Sequence, residues 1–224
     1  MQNSLFLLSS KQNNIQQEDE KEIFTMKKLV ALLLATAMMF TCVACGGNGG
    51  TSDGSGATKV EITDANEILT KTWEEYNASA TDDITFPIGG GNEMIMDTPA
   101  TFDITAEDAK EILVYSYCIP EAAIDLTDDV ATMMNMMMAN NFTAASYHVA
   151  DVANVETVIS NIKDATLNNQ WMCGFPEKLI VVTVGEDYVV SAFGNGAVIE
   201  AFKTAITTVY GDAAVVSVEE NLAE

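Results

Sequence analysis

The chain has 224 residues, with 33 acidic side chains against ten lysines, no arginine and a formal charge of −23. Nucleic-acid binding needs clustered cations to displace counterions, and docking on anionic lipid needs a basic patch, so this balance argues against both. Anionic ligands likewise meet no arginine fork.

The first 25 residues are polar and place Glu18, Asp19, Glu20 and Glu22 ahead of Lys27 and Lys28. Lys21-Glu22-Ile23 can be encoded as a ribosome-binding sequence a short spacer before Met26. Translation is therefore expected to start at Met26, and residues 1–25 are read as a mis-assigned start.

Residues 26–47 read MKKLVALLLATAMMFTCVACGG. Two lysines lead an apolar stretch, and Cys45 follows the small Ala44 and precedes two glycines. This pattern is an export signal ending at a lipid-attachment cysteine. The sixteen residues 29–44 are marginal for a membrane span, and a core helix would not end in Cys-Gly-Gly. Lipidation at Cys45 is the expectation, with residues 26–44 removed. Cys42 departs from the usual residue at its place in such signals, so the bond cleaved is less defined than export itself. Residues 46–58, GGNGGTSDGSGAT, lack an apolar pattern and read as a flexible tether reaching about 20 Å.

Residues 59–141 are expected to form a mostly helical annex. Asp64 with Glu67 three residues on marks a helix start, and Ala65, Ile68, Leu69, Thr72, Trp73 and Tyr76 share one face. Residues 82–105 are rich in Gly, Pro and Thr, and predict loops with short strands at 84–86 and 94–96. Gly89-Gly90-Gly91 lacks the Lys-Ser/Thr of a phosphate loop and marks a turn. Thr105 and Asp108 predict a second helix ending before Pro120. A third is expected over 127–140, with Asp128 and Asp129 in its first turn.

Residues 142–224 alternate regularly. Strands are predicted at 144–150, 179–184, 188–193 and 214–218, and helices at 152–168 and 196–210. Gly185-Glu186-Asp187 forms a hairpin turn and Gly211 a helix stop. The order β-α-β-β-α-β predicts a ferredoxin-like unit. The fold class is thus α+β: a four-stranded antiparallel sheet with two helices on one face, plus the helical annex. The strands beginning near Ala144 and Tyr188 are expected side by side and parallel in the centre.

The Cys-Gly-Gly start, FTAASYHVAD before an amphipathic helix, and PEKLIVVTVGEDYVVSAFG resemble a family of Gram-positive bacterial lipoproteins whose shared domain has no assigned function. The resemblance implies lipid anchoring on the outer face of the cell membrane. It implies no catalytic residue.

Several side chains could carry chemistry. Met133, Met134, Met136, Met137 and Met138 form a thioether cluster. On a helix, Val130, Met133, Met134, Met137 and Met138 share a face, which reads first as a pliable core stripe. The alternatives are an adaptable partner surface or a Cu(I) site. Trp171, Met172 and Phe175 lie in a connection where polar residues are usual. They either cover the end of the core or form an apolar recognition patch. His148 is the sole histidine, shares a strand face with Ser146, and has no evident third group to orient it. Among the cysteines left after export, Cys118 and Cys173 read as separate buried thiols, although export permits a disulfide. No cofactor fingerprint or calcium loop is present. The reading is an extracytoplasmic, membrane-anchored lipoprotein, non-catalytic, that binds an envelope protein or small ligand. The alternatives are a carboxylate-dependent envelope hydrolase and a Met-rich Cu(I) carrier.

Overall fold

The computed structural model describes residues 61–222 except 82, 83 and 173. The signal segment, Cys45 and the tether lie outside them. Among the described residues no helix is long and apolar enough to cross a membrane.

The molecule is α+β, built on one antiparallel sheet of eight strands. In chain order the strands are β1 (Ile88–Gly90), β2 (Ile95–Met96), β3 (Ala100–Thr101), β4 (Thr127–Asn135), β5 (Phe142–Val149), β6 (Lys178–Val184), β7 (Tyr188–Gly194) and β8 (Ala214–Asn221). They lie in the order β2-β1-β4-β5-β7-β6-β8, and β3 also pairs with β4. Among the described residues the α-helices are α1 (Ala65–Ser79), α2 (Ala109–Tyr117), α3 (Glu121–Ile124), α4 (Val155–Leu167) and α5 (Gly196–Tyr210).

The sheet is larger than the four strands expected, because residues 127–135 are strand and not helix. Central strands are buried on both faces, so their apolar residues run on without period-two alternation. In the stretch VATMMNMMM, that continuous run imitates a helical stripe. Val130 enters the core on one face, and Ala131 and Met133 enter the core on the other. The annex is therefore no separate helical body. Its strands β1 to β4 extend the sheet built by β5 to β8.

This extension explains why the C-terminal half departs from the ferredoxin-like arrangement. β4 occupies the edge of β5 that a returning last strand would have used. β8 instead pairs with the far edge of β6. The crossover β5-α4-β6 passes over β7, and the crossover β7-α5-β8 passes over β6 in the same direction. β5 and β7 run oppositely, so two right-handed crossovers fall on opposite faces of the sheet. α5 packs with α1 on one face, and α4 with α2 and α3 on the other. β5 and β7 are neighbours, as expected, but antiparallel. β7 follows β6 through a hairpin, so it must oppose both β6 and the co-directional β5.

Local signals fix the helix ends. The Asp64 carboxylate accepts from the Glu67 amide at 2.7 Å, and the Glu67 carboxylate accepts from the Thr63 amide at 2.8 Å. Asn195 caps α5 by accepting from the Ala197 amide at 3.1 Å, and Gly211, at φ +52°, ends it. α2 starts later than Thr105 implies. The Thr105 hydroxyl turns back to Asp103, at 2.6 Å, and leaves Asp108 without a side-chain cap bond.

Candidate interaction surface

The strands divide the molecule into two ends. At one end lie the start of β4, the end of β5 and the β6–β7 turn, with the N-terminus of α1 seated there by a bond from the Ala65 amide to Asp129 Oδ2, 2.7 Å. At the other end, about 26 Å away along an eight-residue strand, two loops meet: residues 136–141 between β4 and β5, and residues 168–177 between α4 and β6.

Asn140 joins those loops. Its Nδ2 donates to the carbonyls of Met172, at 3.1 Å, and Gly174, at 3.0 Å. The buried Asn135 shapes the first loop by accepting from the Met137 and Met138 amides, at 2.8 and 3.2 Å. Their backbones are satisfied, so their side chains are free to face solvent. Met137 is 81% exposed, Met172 80% and Phe175 75%; Met136 and Met138 are exposed as well. Flexible thioethers and an aromatic ring thus share one apolar end, the composition of an adaptable binding surface.

The candidate residues separate into distinct roles. Met133 is fully buried in the core beneath α1. Met134 is half-buried on the opposite face. The single helical stripe does not exist: alternation along β4 sends successive methionines to opposite faces. Trp171 packs its ring 5.0 Å from that of Phe193 and covers the end of the core. Phe175, four residues on, belongs to the exposed surface. Cys118 is buried, its thiol pushed up to about 12 by burial. Cys173 and Cys45 lie outside the described residues.

At the opposite end the structure shows a group that sequence reasoning missed. His148 Nδ1 lies 2.5 Å from Asp128 Oδ1, and its Nε2 lies 3.4 Å from Asp187 Oδ2. Tyr188 places its ring 4.9 Å from the imidazole. Burial lowers the affinity of His148 for its proton, but the two carboxylates outweigh it and the pKa rises. Asp128 escapes sequence reading because 127–140 carries a helical spacing; in the pairing of β4 with β5 it is the bulged residue next to Asp129, which stands across from His148, and Asp187 is brought near by β7 running opposite to the direction expected beside β5. Ser146 Oγ is buried without a hydrogen-bond partner among the described residues, so it is not activated by His148. Among the described residues no three His, Cys, Asp or Glu side chains are grouped to hold a metal ion.

The chain matches no protein-family model, no curated protein and no solved structure.

Proposed function

We propose that the chain is an extracytoplasmic lipoprotein, held on the outer face of the cell membrane by lipid on Cys45, that binds an apolar surface of an envelope protein without catalysing a reaction. The observation that carries the binding reading is the Asn140 clamp, which ties the loop of Met137 to the loop of Met172 and Phe175, three side chains that are all exposed. The segment MKKLVALLLATAMMFTCVACGG and the resemblance to Gram-positive lipoproteins support the anchor. The placement of the surface supports it further. Ile62, near the first described residue, lies against Gly185 in the β6–β7 turn. That turn is at the end of the sheet opposite the exposed methionines. The formal −23 charge repels anionic lipid, which favours a protein partner over the bilayer itself.

The anchor is tested by membrane partitioning. Wild-type protein should sediment with membranes and Cys45→Ala should be released. Equal release of both refutes the anchor.

A further inference from the structure

Four methionines converge on Gly89 at the β2 edge of the sheet. In β1, Gly89 stands directly across from Met96 of β2 on one side and Met134 of β4 on the other. Directly opposed residues in an antiparallel ladder project to the same face, with Cβ atoms about 5 Å apart. Two more thioethers close over the glycine. A Cβ at Gly89 would lie 3.0 Å from Met94 Cε, 3.2 Å from Met136 Cγ and 3.4 Å from Met136 Sδ. Met94 holds its place from a left-handed backbone, φ +50°, which is costly for a residue with a side chain. Met96 and Met136 are exposed, and Met94 and Met134 are partly so.

A packing role explains this arrangement poorly. Apolar burial does not require sulfur, and two of the four side chains face water. Thioethers are soft, uncharged donors that select Cu(I) and Ag(I) over harder ions. The absence of a side chain at Gly89 lets the Met94 methyl and the Met136 thioether close down on the backbone beside Met96 and Met134, which brings soft donors together at one place. The acidic chain draws cations toward it. We infer that Met94, Met96, Met134 and Met136 form a thioether site for a soft monovalent cation of the Cu(I) and Ag(I) class. The site adjoins the Met137, Met172 and Phe175 surface through Met136, but its ligands do not include those three residues. Two of its four ligands come from the β1–β2 hairpin, which the sequence cluster at 133–138 did not include.

The test uses the full chain labelled at its methionine methyls, with its four cysteines changed to alanine to remove competing thiols and Ag(I) as a redox-inert probe. Resonances are assigned by single Met→Leu variants. The methyls of Met94, Met96, Met134 and Met136 should shift together and saturate at one ion, while those of Met137, Met138 and Met172 stay in place. The variant with all four changed to Leu should bind Ag(I) at least about tenfold more weakly, a loss of about 1.4 kcal/mol. Gly89→Ala provides a gentler variant, because the atoms nearest its new methyl belong to the flexible side chains of Met94 and Met136. It should weaken binding with the melting temperature preserved. The inference is overturned if the four methyls do not move, if all seven move alike, or if both variants keep wild-type affinity.

Discussion

Asp128 Oδ1 lies 2.5 Å from Nδ1 of His148, although twenty residues separate them in sequence. The pairing of β4 with β5 creates this contact, and Asp187 approaches the other ring nitrogen from the β6–β7 turn. His148 is consequently drawn above its ordinary value near 6.5, the two carboxylates overcoming the opposing effect of burial. A raised folded-state pKa contributes stability that is fully present below the unfolded value and is lost as pH rises through the folded value. His148→Gln should therefore destabilise the protein more at about pH 5.5 than at about pH 8.5. Urea midpoints of both proteins at both pH values measure this. An equal loss at the two would show that the contact contributes no charge-dependent stability.

The methionines of β4 and its following loop should differ sharply. Met133 is fully buried, so Met133→Ala should cost about 2–5 kcal/mol through lost burial and a residual cavity. Met137→Ala should change stability by no more than about 0.5 kcal/mol. Chemical denaturation of the two variants checks the contrast. Similar costs would indicate the shared helical stripe that the strand register denies.

The two halves of the chain differed in how plainly their residues announced the structure. α1, α4 and α5 each bury one stripe, and Asp64 marks the start of α1 and Gly211 the end of α5, so period and punctuation agree. The β6–β7 hairpin is bounded by Gly185-Glu186-Asp187. β4 is different. Covered on both faces, it lost its alternation, and the spacing of Val130, Met133, Met134 and Met137 fitted a helix. That one misreading removed the neighbour of β5, placed both crossover helices on one face and hid the acids beside His148. The exposed surface was half legible. Met172 and Phe175 are unusual in their connection, but the spacing of Met137 put it on a helix, and the meeting of the two loops depends on Asn140, a polar residue with no local signature.

Lys178 joins the start of β6 to α5 through Glu200 and to β8 through Glu219, while Lys203 also reaches both carboxylates. The bond from Lys178, and next that from Lys203, lowers Glu219 from 4.5 to about 2. A lowered carboxylate contributes stability above its ordinary value that is lost as pH falls through the folded one. Lys178→Met should therefore move acid unfolding to higher pH within the window between 4.5 and about 2. Circular dichroism followed through acid titration gives the two midpoints. Coincident curves would mean that the network does not hold the β8 edge.

Adjacent glycines in β1 should respond unequally to alanine. A Cβ at Gly90 would lie 2.5 Å from both the Ala100 nitrogen and the Thr132 oxygen, which are backbone atoms fixed by strand pairing. Gly90→Ala should cost about 1–3 kcal/mol, and Gly89→Ala, whose nearest neighbours are the side chains of Met94 and Met136, less than about 1 kcal/mol. Thermal melts of both variants decide the point. A costlier Gly89 variant would contradict the packing described around β1.

The binding account is tested most directly by a photo-crosslinking residue placed in intact cells at Met137, Met172 or Phe175, with Tyr115 and Val215 as exposed controls elsewhere on the domain. The three sites are joined by the Asn140 clamp, so they should yield the same discrete crosslinked protein, and the controls should not. Asn140→Ala, which releases the loop carrying Met172, should weaken that product at Met172 and Phe175. Indistinguishable crosslinking at all five sites, or at none, would contradict the assignment of this end of the molecule as its binding surface.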